Sequence, residues 1–322
     1  MIKKLIKNYP HLSHSIIPTH IHKLENISKK YGVNVYCMRD DLTGFAFGGN
    51  KTRKLDYLIA DAKAKKADTL LAVGSNQSNF CRITAAYGAA VGLDVQLLLS
   101  GEKESEPTAN LYLDHLFNAT VKHIDVYENA EVEKESLELE TELVKQGKKV
   151  YRMPLGGSTP LGTLGYLNAF DEILTYSEKN SINFDSVFHA SGSGGTQAGL
   201  VLGKMVTGWQ SDIIGISVGR SASELHSVVE NLSVETAKML SISPAETNFI
   251  VDDNYIGEKY GAFTDPGDKA IKEFATNEGI LLDNVYTGKA AAGMLDYIEK
   301  GKVDKSANVL FIHTGGNIEL FE

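Results

Sequence analysis

Gly48-Gly49-Asn50-Lys51-Thr52-Arg53-Lys54-Leu55 is the stretch from which the rest of the chain can be read. Leu55, Leu58, Ile59 and Ala62 follow it at a spacing of about 3.6 residues, the signature of one apolar helix face. Lys51 therefore falls at or just before the first turn of a helix. A cation there meets the positive end of the helix dipole, at a cost of a few tenths to about 1 kcal/mol. The repulsion favours the neutral amine, the form a lysine nucleophile needs. A solvated lysine in a glycine loop is the plain alternative.

A phosphate-cradling P-loop does not fit. Gly44 and Gly49 have the right separation, but Asn50 stands where that motif needs its lysine. The chain has 322 residues, 43% apolar and 23% charged, with a net charge of -9. Two domains are the prior for that length. The negative charge argues against nucleic acid or an anionic membrane as the main partner. No apolar run is long enough to span a bilayer. Asn8, Tyr9 and Pro10 interrupt the basic start where a signal peptide would need its apolar stretch, so a cytoplasmic location is expected. Cys37 and Cys81 are too few for a disulfide framework and read as small buried thiols. The acidic run 131–142 reads as a solvated helix face.

Beyond the opening stretch, helices and strands alternate. Helices are expected at 56–65, 79–91, 105–118, 130–146, 161–178, 197–206, 223–240, 268–278 and 290–300. Strands are expected at 33–38, 69–73, 94–99, 120–126, 149–153, 186–190, 213–218 and 309–313, with residues 1–30 irregular apart from a polar helix ending near Gly32. This pattern predicts an α/β chain with parallel sheets covered by helices on both faces. Two interleaved units are expected: a large one from 1–54 and 160–322, and a small one from 55–159.

In open parallel sheets, ligands lie beyond the carboxyl ends of the strands. Four loops have that address: 74–79, 156–158, 191–196 and 314–316. In 191–196, glycines let successive N–H groups converge at the start of a helix, which suits a phosphate; Ser193 and Thr196 add hydroxyls. A dinucleotide loop fails because Gln197 replaces the third glycine and no acidic residue follows the next strand. A single phosphate fits better, with a plain tight turn as the alternative. A strand-end lysine plus a single-phosphate cup is the minimum for pyridoxal phosphate, with a Schiff base at one end of the ring and an anion anchor at the other.

Gly48–Leu55, Gln77-Ser78-Asn79, Gly192-Ser193-Gly194-Gly195-Thr196, Val285-Tyr286-Thr287-Gly288-Lys289 and His313-Thr314-Gly315-Gly316 together resemble the 1-aminocyclopropane-1-carboxylate deaminase/D-cysteine desulfhydrase family. These are fold-type II pyridoxal phosphate enzymes, tryptophan synthase β-like. The likeness runs from about Pro18 to Gly316. It implies that Lys51 bonds the cofactor's aldehyde, that Asn79 contacts its ring hydroxyl, and that Lys54 with Gly192, Ser193, Gly194, Gly195 and Thr196 holds its phosphate. It also implies that Ser78 meets the substrate carboxylate or acts as a catalytic hydroxyl, that Tyr260 and Tyr286 flank the substrate, and that Asn50 lies beside the cofactor. The implied assembly is a homodimer and the implied substrate a small amino acid.

Deaminases of this family typically carry Glu and Leu where this chain has Thr287 and Thr314, and threonines there are similar to the desulfhydrase pattern. A carboxylate beside the pyridine nitrogen would stabilise a pyridinium electron sink; a neutral hydroxyl does so far less. Eliminating a good leaving group tolerates the weaker sink. The chain departs from the pattern at Asn76, Phe80, Asn284 and Asn317-Ile318-Glu319, and Phe80 is expected to place a ring where a substrate side chain is read. Elimination from D-cysteine is therefore the expected activity. The alternatives are a true cyclopropane deaminase, an eliminase of another β-substituted amino acid, and a non-catalytic ligand-binding relative.

Overall fold

The computed structural model describes residues 1–321, folded around two sheets. Ten strands occur among them: β1 (Ile21–Lys23), β2 (Asn34–Met38), β3 (Thr69–Ser75), β4 (Asp94–Ser100), β5 (Thr120–Ile124), β6 (Val150–Arg152), β7 (Ser186–Ser191), β8 (Asp212–Ser217), β9 (Ile250–Asp252) and β10 (Asn308–Ile312). The larger sheet has the order β1-β2-β10-β7-β8-β9 and the smaller one β5-β4-β3-β6. Every pairing is parallel except β1 with β2.

The strands of the larger sheet read as continuous apolar runs because both of their faces are covered. Tyr36, Met38, Val187, Leu310 and Ile312 pack on one side with Leu164, Phe170 and Val201. Their neighbours Val35, Cys37, Phe188, Val309 and Phe311 pack on the other with Ile27, Phe274 and Met294. This is the two-residue alternation of a strand used twice. In the smaller sheet, Leu70, Ala72, Leu97 and Leu99 face one core while Leu71, Val73 and Leu98 face another.

Strand β9 lies where no strand is expected, helix 105–118 shortens to Ala109–Leu116, and the helices expected from 197, 268 and 290 each start two or three residues early; two further differences bear more on the site. Residues 1–30 are more regular than their composition suggests: helix Ile2–Ile6 buries both isoleucines in the core, and β1 pairs with β2 as an antiparallel edge. Neither segment has a strong local pattern; each is ordered by what it packs against. The helix expected at 56–65 begins earlier, at Asn50, and runs to Ala64. Lys51 thus sits inside its first turn. Gly49 caps this helix at φ 108°, a conformation that L side chains rarely adopt. The Asn50 amide donates to Thr314 O (2.9 Å), which pins the helix start to the loop after β10.

Candidate active site

Helix Asn50–Ala64 aims Lys51 and Lys54 from its first turns toward the loops after β6 and β7. Lys54 is fully buried, and its Nζ donates to Gly156 O (3.2 Å) and Ser158 Oγ (3.4 Å). Ser158 Oγ donates to Ser193 Oγ (2.8 Å) and accepts from the Gly195 amide (3.2 Å). Helix Gly195–Thr207 starts at this point, after Gly194 in the left-handed region. A Cβ added at Gly195 would lie 2.7 Å from both Lys54 Nζ and Ser158 Oγ, so the absent side chain leaves a pocket between a cation and a helix N-terminus.

The electrostatics call for an anion. Burial pushes the Lys54 amine well below its ordinary range, and the charge of Lys51 pushes it further. Among the described residues, no carboxylate forms an ion pair with Lys54. A buried amine without a carboxylate partner, facing N–H groups at a helix start, is a poor arrangement for stability alone and a good one for a phosphate, whose charge would restore the ammonium form.

Lys51 lies next to this cup. A Cβ on Gly156 would come within 2.4 Å of Ser193 Oγ and 3.3 Å of Lys51 Nζ, so only glycine leaves room there. Burial lowers the Lys51 amine from 10.5 to about 8, although the residue as a whole keeps some exposed surface. Desolvation, more than the helix dipole, is thus what favours the neutral amine. Asn50 Nδ2 donates to Thr196 Oγ1 (3.0 Å), joining the lysine turn to the end of the cup.

The other candidates gather from the loops after β3 and β10 and from the segments at 260 and 283–287. Ser78 caps helix Asn79–Val91, its Oγ accepting from the Cys81 amide (3.2 Å). Asn79 Nδ2 donates to Glu319 Oε1 (2.5 Å), and its Oδ1 accepts from Asn110 Nδ2 (3.3 Å). The Tyr260 and Tyr286 hydroxyls share a hydrogen bond, their rings edge to face with centroids 6.1 Å apart. Desolvation raises both phenols; Tyr260 is 44% exposed, so its hydroxyl is the enclosed end. Thr314 is buried at the helix start it holds.

Three features were not legible in the sequence. Thr287 is buried and donates its hydroxyl to Asp283 Oδ1 (2.6 Å), and the Asp283 carboxylate also accepts the amides of Val285, Tyr286 and Thr287. A carboxylate therefore stands one hydrogen bond behind a hydroxyl expected to be simply neutral. Glu319, marked only as a departure, reaches Asn79 from the turn Asn317–Phe321. Phe80 corrects an expectation: it is 1% exposed and packed in the apolar cluster with Leu58, under Gly157, because the first turn of its helix faces the core. It does not line the site.

The buried Lys54, the open cup at Gly195 and the enclosed neutral-leaning amine of Lys51 fit pyridoxal phosphate, with Lys51 at the aldehyde end and the cup at the phosphate. The family described as pyridoxal-phosphate dependent enzyme matches residues 12–315, and the chain belongs to it. Within that family, relatives similar to it carry names from the 1-aminocyclopropane-1-carboxylate deaminase group. A Pyrococcus horikoshii protein with the provisional name 1-aminocyclopropane-1-carboxylate deaminase is 41% identical over 314 residues, covering 97% of this chain and 93% of its own. The crystal structure of an ACC deaminase homologue superposes with a TM-score of 0.93 at 40% identity, covering 99% of this chain and 96% of that one. Threonine deaminase isoform 2 from Solanum lycopersicum shares the fold at 18% identity, with a TM-score of 0.69 and coverage of 98% and 85%. The fold is thus fold-type II and the cofactor pyridoxal phosphate. Among the described residues no helix is long and apolar enough to cross a membrane.

Proposed function

We propose that the chain catalyses β-elimination from D-cysteine, or from a similar β-substituted amino acid. With one water consumed, D-cysteine gives pyruvate, ammonia and hydrogen sulfide. When bound, the cofactor supplies the electron sink that makes the substrate's α-proton acidic. Lys51 Nζ holds the cofactor before substrate arrives and then accepts the α-proton, a task suited to an amine lowered to about 8. Lys54, Ser158 and the amides of 193–196 hold the phosphate, while Asn50 and Asn79 orient the ring. Ser78 meets the substrate carboxylate, and the Tyr260–Tyr286 pair flanks the substrate. Phenols raised by burial keep their protons at neutral pH, so this pair can donate to a departing sulfur. In our reading the chain divides into a large unit, 1–54 with 160–322, which carries Lys51, Lys54 and loop 192–196, and a small one, 55–159, which carries Ser78, Asn79 and Ser158, so that the cup is shared between them; helix Asn50–Ala64 crosses the boundary.

The observation that carries the choice of reaction is Thr287, an uncharged hydroxyl where deaminases of the family carry a glutamate. The second reading, opening of 1-aminocyclopropane-1-carboxylate to 2-oxobutanoate and ammonia, is favoured by the name of the Pyrococcus relative. Product analysis separates the two. The purified holoenzyme should release sulfide and pyruvate from D-cysteine faster than it forms 2-oxobutanoate from the cyclopropane. The opposite ranking would install the deaminase reading, and no turnover of any amino acid across a D and L panel would leave a ligand-binding role.

A further inference from the structure

Asn79 can meet a ligand correctly only if its amide is held one way round, since its two ends differ by an N–H donor and a C=O acceptor. Two neighbours fix that choice. Glu319 presents a carboxylate oxygen 2.5 Å from Asn79 Nδ2, and an ionised carboxylate only accepts. On the other side, Asn110 Nδ2 donates to Asn79 Oδ1 (3.3 Å). Asn110 is itself held, because its amide N–H donates to Gln77 Oε1 (2.8 Å) and its Nδ2 to Gln77 O (3.0 Å). Of the four hydrogen bonds an amide can make, one at the oxygen and one N–H are therefore taken, which fixes its nitrogen end toward Glu319 and its oxygen end toward Asn110. One N–H of Asn79 remains to donate.

We propose that Glu319 is a positioning residue: its carboxylate locks the Asn79 amide with a donor toward the cofactor's ring hydroxyl. This rests on the placement of Asn79 beside the cofactor given above. Glu319 is 5% exposed and sits in the turn Asn317–Phe321, whose own start is tied down by the Glu319 amide donating to Gly316 O (2.9 Å). The same turn packs on helix Ala109–Leu116, which carries Asn110. The acceptor on one side of Asn79 and the donor on the other thus come from two elements that also touch each other, so a shift of one is felt by both.

The test compares Glu319→Met with Glu319→Gln. The two side chains have similar length, but only glutamine keeps an oxygen that can accept from Asn79. Two quantities are read: the dissociation constant of pyridoxal phosphate, and the position of the bound cofactor's visible absorption band. Glu319→Met should weaken the cofactor by about tenfold, the effect of one hydrogen bond to a charged group, and shift the band. Glu319→Gln should restore both to within about threefold of wild type, and Glu319→Met should add nothing in an Asn79→Ala background. Thermal unfolding of the cofactor-free variants shows that each is folded; where the Met variant is not, Glu319→Leu, which also lacks an acceptor, takes its place in both comparisons. Equal behaviour of the Met and Gln variants, or additivity with Asn79→Ala, overturns the role of Glu319 alone. If Asn79→Ala itself moves neither readout, the placement of Asn79 fails and the proposal falls with it.

Discussion

Lys51 shows how one side chain takes its chemistry from its surroundings. Burial lowers its amine from 10.5 to about 8, so roughly a tenth is neutral at pH 7, against well under a thousandth for an ordinary lysine. The sign is that of a buried cation: between about 8 and 10.5 the unfolded chain holds the extra proton, so this group's contribution to stability rises with pH across that window. Capture of pyridoxal phosphate by the stripped protein should accelerate about tenfold per pH unit below 8 and level off above it. Borohydride should then fix the cofactor on Lys51, and Lys51→Ala should capture nothing. A flat pH profile, or label on another lysine, would contradict the assignment.

At the scale of elements, the phosphate cup is a strand-loop-helix junction whose two glycines do different work. Gly194 sits at φ 85°, and a Cβ there would meet Val228 Cγ1 at 2.9 Å, so a side chain strains the backbone and its packing together. Gly195 needs no unusual backbone; its Cβ would instead enter the cup beside Lys54. Gly195→Ala should therefore weaken cofactor binding by more than about tenfold, with little change in the melting temperature of the cofactor-free protein. Gly194→Val should lower both. Calorimetry with and without cofactor checks the contrast, and equal effects of the two substitutions on the cofactor-free protein would remove the distinction.

Across the whole molecule, the helix carrying both site lysines is anchored through Arg53. This fully buried guanidinium donates to both oxygens of Asp40 (2.9 and 2.8 Å) and both of Glu172 (2.7 and 2.9 Å). Thr19 and Tyr166 donate to Asp40 as well (2.8 and 2.5 Å). The network joins the turn after β2, the helix of Lys51 and the long helix Pro160–Asn180. Removing the cation leaves two carboxylates uncompensated, which typically costs about 3–5 kcal/mol. Arg53→Met should show that loss in urea unfolding; a loss under about 1 kcal/mol would mean that the network is dispensable.

Sequence by itself determined the alternation of helices and strands, the loops at the strand ends, and the lysine and glycines of the site, because each rests on local periodicity or backbone freedom. Helix 79–91 falls where its pattern puts it, and the helix expected at 197–206 starts two residues early, at Gly195. Only the tertiary structure decided that helix Asn50–Ala64 starts ahead of its apolar face, since Thr314 from the far end of the chain receives its first amide. It also turned Phe80 into the core and brought Glu319 to Asn79 across 240 residues. Such partners share no spacing in the chain: Thr314 meets Asn50 because the sheet order sets β10 beside β2 and so brings their following loops to one edge, and Glu319 meets Asn79 because its turn packs on helix Ala109–Leu116 from the smaller unit.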